Sequence, residues 1–113
     1  FAELSRLAAA EGVSPATLSG LSGLGDLILT CSSRQSRNFS LGMALGQGAS
    51  LADIMSGRRT VSEGVHSAQE VVELAQKNGI EMPISEAVTA FGAGRSSADD
   101  EITRLLARQV GSE

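Results

Sequence analysis

The stretch GLGDLILTCSSRQSRN, from Gly23 to Asn38, changes character part of the way along. Its first part is apolar and contains one acidic residue, Asp26, whereas its second part is polar and basic. Apolar residues at helical spacing in the first part predict an amphipathic helix. Ser36 is a good N-cap residue at the point where a second apolar pattern begins, so it predicts the start of another helix. The stretch therefore predicts two helices joined by a short turn.

The same signals recur along the rest of the chain. Further helix starts are predicted at Ser14-Pro15, where the helix runs through Leu21, at Ser50 with Asp53, at Ser85, and at Ser97 with Asp100. Helix ends or breaks are predicted at Gly12, Gly20, Gly23, Gly25, Gly48 and Asn78-Gly79. A loop is predicted over Gly57-Arg58-Arg59-Thr60 and an extended segment over Met82-Pro83-Ile84. With no convincing strand, we predict an all-α fold, a compact multi-helix bundle formed by one domain, residues 1–113.

The core is predicted to consist of aliphatic side chains. Of the 113 residues, 42% are hydrophobic but only 3% are aromatic, with no tryptophan or tyrosine. The residues that we expect to face inward are Val65, Val71, Val72, Leu74, Ala75, Ala87, Val88, Phe91, Ile102, Leu105 and Leu106, with Cys31 as a small buried hydrophobe.

Charge and cysteine content restrict the class of protein. A net charge of -4 with a single lysine, Lys77, argues against a nucleic-acid surface. The lone Cys31 excludes an internal disulfide and fits a reducing, cytoplasmic location. No apolar run approaches the ~20 residues that span a bilayer. Because Phe1 already lies within a helical pattern, we expect the chain to be a piece of a longer protein.

Two polar groups stand on the predicted apolar helix. Asp26 and Thr30 are four residues apart and therefore share one helix face. Asp26 has an ordinary explanation, because an acidic residue at a helix start is favoured by the helix dipole. Its alternative is functional: the carboxylate accepts hydrogen bonds from a polyhydroxyl ligand or orients a catalytic amine.

The tripeptide Ser36-Arg37-Asn38 predicts an anion site. A helix start has backbone N–H groups without partners, and the forked donors of Arg37 match phosphate oxygens. Asn38 adds an amide on the same turn. The alternative is an ordinary capped helix with a solvated arginine. His66 has no second metal-ligand residue at a suitable spacing, so we predict no metal site.

A family resemblance is carried by three segments of the chain, LSGLGDLILTCSSRQSRNFSLG, VSEGVHSAQEVVELAQKNGIEMPISEAV and ITRLLARQ. Together with AELSRLAAAEGVSPATLSGL, they resemble the bacterial-type NAD(P)-dependent glycerol-3-phosphate dehydrogenases, in collinear order over nearly the whole chain. The resemblance implies an all-helical C-terminal substrate domain like that of 6-phosphogluconate dehydrogenase-like enzymes. It also implies a Rossmann domain upstream, because no strand here precedes a G-x-G-x-x-G element.

The resemblance further implies the activity and its residues. The reaction would interconvert dihydroxyacetone phosphate and sn-glycerol 3-phosphate with NAD or NADP, supplying phospholipid synthesis. Substrate contacts would fall on Asp26, Ser36, Arg37 and Asn38, supported by Thr30, and cofactor contacts on Arg37, Val61 and Glu63. The family's proton-transferring lysine has no counterpart here, so this chain alone is expected to fold but to be inactive.

Other functions and assemblies stay open at this point. One alternative is a non-catalytic helical interaction module with an exposed apolar groove, and another is a related dehydrogenase acting on a different acid. A homodimer is compatible with the sequence, as is docking only to the protein's own Rossmann domain.

Overall fold

Helices form the regular structure of the described chain. A computed structural model describes residues 1–56 and 59–108, without the side chains of 55 and 59–63. In chain order the helices are α1 (Ala2–Ala10), α2 (Pro15–Leu18), a π-helical turn (Leu21–Gly25), α3 (Asp26–Ser32), α4 (Arg37–Gly46), α5 (Leu51–Met55), α6 (Arg59–Lys77), α7 (Pro83–Gly92) and α8 (Ala98–Leu106). No strand occurs within these ranges, which confirms the all-α prediction.

Serine side chains cap the helices as the sequence predicted. In each confirmed case the hydroxyl oxygen accepts a bond from the backbone N–H three residues later, which satisfies one of the unpaired amides of the first turn. These bonds are Phe39 N to Ser36 Oγ at 3.4 Å, Asp53 N to Ser50 Oγ at 3.1 Å and Asp100 N to Ser97 Oγ at 3.1 Å. Ser14 occupies the predicted N-cap position of α2, but its side chain forms no cap bond.

The predicted break at Gly20 is confirmed, because this residue is extended between α2 and the next turn, whereas the breaks predicted at Gly23 and Gly25 are wrong. Helix α2 ends at Leu18 rather than Leu21, and Leu21–Gly25 then form a π-helical turn that runs directly into α3. Gly23 makes this turn possible, because a Cβ at that position would overlap the Leu18 carbonyl oxygen. A glycine here permits close backbone approach rather than interrupting the helix.

The start of α7 also differs from the prediction. Pro83 and Ile84 are helical rather than extended, because proline fits the first position of a helix, where no N–H partner is needed. Ser85 is therefore inside the helix, and Met82 is the N-cap, with no side-chain bond of its own. The cap comes from the far end of the chain instead. The buried Glu3 carboxylate accepts bonds from Ile84 N, from Ser85 N at 3.1 Å and from Ser85 Oγ at 3.1 Å.

A second contact from α1 reinforces this connection. The Arg6 guanidinium donates from Nε and Nη2 to the Glu81 carbonyl oxygen, at 3.1 and 3.0 Å. Helix α1 therefore holds the entry to α7 through Glu3 and Arg6 together.

The predicted loop over Gly57–Thr60 is only partly testable. Residues 57 and 58 lie outside the described ranges, whereas Arg59 and Thr60 belong to α6, so the loop prediction is wrong for these two. The predicted end of this helix is confirmed, because it stops at Lys77 and Gly79 follows with a φ of 66°.

Few of the apolar side chains are buried. Within the described part, the buried apolar residues are Val72, Ala75, Met82 and Ala87, all from α6, α7 and the segment that joins them. Several residues predicted to face inward are exposed instead, with fractions of 49% at Val88, 54% at Ile102, 80% at Leu106 and 38% at Leu74. Cys31 is exposed too, so its burial was wrongly predicted. The helical spacing was correct, but no element of the described chain covers these faces.

Candidate functional site

The beginning of α4 presents unpaired backbone donors. The Phe39 amide bonds to Ser36 Oγ and the Ser40 amide bonds to the Ser36 carbonyl oxygen at 3.0 Å. The amides of Arg37 and Asn38, at the first two helical positions, find no acceptor among the described residues. Because these donors lie at the positive end of the helix dipole, this turn can bind an anion.

A tight turn shapes the approach to this helix start. Ser36 N donates to the Ser33 carbonyl oxygen at 3.0 Å, and Gln35 N donates to Ser33 Oγ at 3.2 Å. Ser40 Oγ donates back to the Arg34 carbonyl oxygen, which fastens the turn to the first turn of α4. The turn therefore fixes the position of Ser36 relative to the free amides.

Two guanidinium groups accompany the free amides. Arg37 is exposed, and its side chain has no hydrogen-bond or ion-pair partner among the side chains and backbone that the structure describes. Arg34, three residues earlier in the turn, is exposed as well. Arg34 was not predicted from the sequence as a site residue, although the repeated Ser-Arg spacing in SSRQSR was a signal for it. The α4 start therefore combines two positive charges with two free N–H donors.

Asn38 lies where α4 packs against α6. A Cβ added to Gly64 would come within 2.6 Å of Asn38 Oδ1, so the glycine leaves room for the amide side chain. Gly64 was not singled out from the sequence, since a glycine within an amphipathic helix gives no indication of its neighbour. The predicted cofactor contacts Val61 and Glu63 precede Gly64 on the same helix, but their side chains lie outside the described residues. The backbone thus brings that part of α6 near the α4 start.

Asp26 and Thr30 occupy α3, the helix before the anion site. Asp26 is the first residue of α3 and is exposed. The Thr30 hydroxyl donates to the Asp26 carbonyl oxygen at 2.9 Å and approaches the Leu27 carbonyl oxygen at 3.2 Å. A threonine bonded to its own helix in this way keeps its hydroxyl proton occupied and offers only its oxygen as an acceptor. The Asp26 carboxylate therefore remains available to an external donor.

The helices that carry the candidate residues are neighbours. Helix α3 contacts α4, and α4 contacts α6. Asp26 and Arg37 form no ion pair with each other in the part of the chain that the structure describes. Each charge is thus free to interact with a ligand rather than being neutralised by the other.

The described residues lack two features that would indicate other kinds of site, a metal-binding cluster and a membrane-spanning helix. No group of three or more histidine, cysteine, aspartate or glutamate side chains is close enough to hold a metal ion within the described ranges. None of the helices described is both long and apolar enough to cross a bilayer.

Comparisons with known proteins cover almost the whole chain. Residues 1–103 match the family model described as NAD-dependent glycerol-3-phosphate dehydrogenase C-terminus. The chain is 66% identical over 108 residues to glycerol-3-phosphate dehydrogenase [NAD(P)+] of Maricaulis maris, covering 96% of this chain and 32% of that protein. It is 59% identical over 113 residues to the protein of the same description from Parvibaculum lavamentivorans, covering 100% of this chain and 34% of that protein.

A solved structure agrees with the sequence relatives. The crystal structure of glycerol-3-phosphate dehydrogenase from Coxiella burnetii superposes with a TM-score of 0.85 at 38% identity, over 95% of this chain and 33% of that one. The chain spans about a third of the length of the curated relatives that it matches. The family model, the relatives and the solved structure agree, and the chain belongs to the family of the NAD-dependent glycerol-3-phosphate dehydrogenase C-terminus.

Proposed function

We propose that this chain is the substrate domain of an enzyme that interconverts dihydroxyacetone phosphate and sn-glycerol 3-phosphate. The observation that carries the proposal is the α4 start, where the unpaired Arg37 guanidinium stands beside the free amides of Arg37 and Asn38. This arrangement matches the three acceptor oxygens of a phosphate group, which a guanidinium and a helix N-terminus both bind well.

The remaining residues suit the rest of a three-carbon substrate. Ser36 accepts a bond from Phe39 N but keeps its own hydroxyl proton to donate to a phosphate oxygen. Asp26 has its carboxylate free to accept a bond from a substrate hydroxyl or to orient the amine that transfers the proton. We assign Thr30 a supporting place beside Asp26, because its oxygen can accept but its proton is engaged.

The described residues lack the strand-turn-helix elements that hold the pyrophosphate of a nicotinamide cofactor. Binding of the pyrophosphate requires a strand, a glycine-rich turn and a helix, and no strand occurs in 1–56 or 59–108. We propose that NAD or NADP, which would supply or accept the hydride, is held mainly by a Rossmann domain upstream. The nicotinamide end of the cofactor would face Arg37, Val61 and Glu63. We also propose that the proton-transferring lysine lies upstream, that the enzyme is cytoplasmic, and that its product enters phospholipid synthesis.

Steady-state kinetics of the full-length enzyme test the phosphate assignment. Arg37→Ala should raise KM and lower kcat, with a loss of roughly 100-fold in kcat/KM, because phosphate binding energy is also used in the transition state. Arg37→Lys should recover only part of this loss, since an ammonium cannot form the bidentate contact. Arg95→Ala is the matched control, because Arg95 is also exposed but lies away from this helix start, after α7.

Inorganic phosphate provides a second readout of the same subsite. It should inhibit the wild type competitively against dihydroxyacetone phosphate and should inhibit Arg37→Ala far more weakly. Unchanged kinetics and unchanged phosphate inhibition in Arg37→Ala would contradict the proposal.

A non-catalytic helical interaction module remains the second candidate, and one observation favours it. An apolar groove runs between α4, α6, α7 and α8. A phosphate titration followed by NMR separates the two functions, because shifts at Ser36 to Asn38 support the enzyme and their absence supports the module.

A further inference from the structure

Gly64 is an unexpected residue within a long helix. It belongs to α6, which runs from Arg59 to Lys77, and its φ lies outside the left-handed region that favours glycine. The backbone at this position would therefore accept an alanine. Alanine is also the better helix former, because glycine loses more conformational freedom when a helix interior becomes ordered. The local structure of α6 gives no reason for a glycine here, so the reason must lie in a neighbouring element.

The contact that excludes an alanine at this position is with the Asn38 side chain on α4. A Cβ at Gly64 would lie 2.6 Å from Asn38 Oδ1, 3.5 Å from Cγ and 3.8 Å from Nδ2. To reach the 3.4 Å of an ordinary contact, the oxygen would have to move by roughly 0.8 Å. At Gly23 the added Cβ meets the backbone of Leu18, whereas at Gly64 it meets only the end of a side chain. A methyl group at Gly64 should therefore displace the Asn38 amide and leave the fold unchanged.

The same contact determines which end of the Asn38 amide is available to a ligand. Oδ1 is the atom closest to α6, and Nδ2 is farther from it. Asn38 is exposed, and its NH₂ group donates no hydrogen bond to the residues that the structure describes. An amide NH₂ group is a donor of two hydrogen bonds, so it can bind a phosphate, carbonyl or hydroxyl oxygen. The Asn38 side chain thus adds a third kind of donor to the Arg37 guanidinium and the free backbone amides of the α4 start.

We propose that Gly64 is a positioning residue of the substrate site, because the space beside its Cα holds the Asn38 amide with Nδ2 directed at a substrate oxygen. Gly64 touches no substrate itself and acts only through Asn38. Groups that bind a substrate must be held within about 0.5 Å of the productive geometry, and the displacement expected from a methyl group exceeds this tolerance. The inference rests on the proposed function, since it requires the substrate to bind at the α4 start.

A double-mutant cycle in the full-length enzyme tests this role. The kcat/KM for dihydroxyacetone phosphate is measured for the wild type, Gly64→Ala, Asn38→Ala and the double variant. Gly64→Ala should lower kcat/KM by about 10-fold or more, because the amide donor is misplaced. Asn38→Ala should lower it at least as much, since the donor is then absent. The double variant should be no worse than Asn38→Ala, because the methyl group at position 64 then has no amide to displace.

Two further measurements separate positioning from a general effect on the fold. The thermal unfolding midpoint of Gly64→Ala should equal or exceed that of the wild type, because alanine is favoured within a helix. Glu70→Ala is the matched control for an alanine on the same helix, since Glu70 is exposed and lies further along α6. This control should keep the wild-type kcat/KM.

Three results would overturn the inference: wild-type kcat/KM in Gly64→Ala, losses that multiply in the double variant, or an unfolding midpoint of Gly64→Ala below that of the wild type. The Arg37 variants keep this outcome distinct from the fate of the proposed function. A loss in Arg37→Ala together with multiplying losses in the cycle overturns the role of Gly64 alone. Wild-type kinetics in Arg37→Ala contradict the proposed function, and the role of Gly64 with it.

Discussion

Replacing Glu3 by glutamine should destabilise the protein more than its position near the chain start indicates. The buried carboxylate accepts bonds from the amides of Ile84 and Ser85 and from the Ser85 hydroxyl. Glutamine keeps Oε1 as an acceptor for Ile84 N, but it turns the second oxygen into an NH₂ group that faces the Ser85 N–H and the Ser85 hydroxyl. The Ser85 hydroxyl can turn to accept a bond from this NH₂ group, but the charge-assisted bond from Ser85 N, worth about 1.5–3 kcal/mol, is lost, and so is the negative charge at the start of α7.

The expected loss in unfolding free energy is about 2–4 kcal/mol, a large fraction of the 5–15 kcal/mol that holds a typical domain. Equilibrium urea unfolding followed by far-UV circular dichroism measures it, because the chain has no tryptophan to report by fluorescence. Glu11→Gln is the matched control, since this glutamate is exposed at the C-cap of α1 and the same charge is removed. The control should stay within about 0.5 kcal/mol of the wild type, as most surface changes do.

Hydrogen exchange locates the effect. Amides in the first turn of a helix normally exchange fast, but those of Ile84 and Ser85 should be protected in the wild type by their bonds to Glu3. Glu3→Gln should accelerate exchange at Ser85 in particular. Wild-type stability in Glu3→Gln, with unchanged exchange at these amides, would refute the assignment of Glu3 as the cap of α7.

Three further predictions concern the turns and the fragment itself. Gly23→Ala should cost about 1–3 kcal/mol in thermal or urea unfolding, because the new methyl group meets the Leu18 carbonyl. Gly25→Ala, whose Cβ would make only an ordinary 3.7 Å contact, should be neutral or slightly stabilising, and equal effects at both sites would contradict the π-helical turn. Ser97→Ala should cost about 1 kcal/mol of stability by removing the α8 cap, whereas Ser96→Ala should leave stability unchanged. Equal losses in the two variants would contradict the assignment of Ser97 as the cap. Residues 1–113 alone should not oxidise NADPH in the presence of dihydroxyacetone phosphate, and measurable turnover would disprove the need for an upstream lysine.

The local features of the fold could be predicted from the sequence. The capping bonds of Ser36, Ser50 and Ser97 each join residues three apart, and Gly79 ends α6 within one turn. A short stretch of sequence therefore contains the whole signal for each of these features. The all-α class followed from the same signals summed along the chain. The anion site is also local, since its free amides and its guanidinium belong to one helix turn.

The features that were wrongly predicted depend on contacts with residues far away along the chain or on whether another surface covers a helix face. Ser85 looked like a cap because nothing in its own segment revealed that Glu3, far away along the chain, would satisfy the first turn of α7. Val88 and Ile102 have the spacing of buried residues, but whether a face is covered depends on what packs against it. Gly23 was wrongly predicted to break the helix. The close approach of the Leu18 carbonyl, which requires a glycine here, exists only in the folded turn and is not visible in the sequence. Val61 and Glu63 remain predictions.

A structure of the full-length enzyme with bound sn-glycerol 3-phosphate tests the central claim most directly. The measured quantities are the distances from the phosphate oxygens to the Arg37 guanidinium and to the backbone nitrogens of Arg37 and Asn38. The account predicts direct hydrogen bonds of about 2.7–3.2 Å to all three groups, with the Asp26 carboxylate lining the same cavity. A phosphate bound elsewhere, with Arg37 turned to solvent and Asp26 on another face, would contradict it.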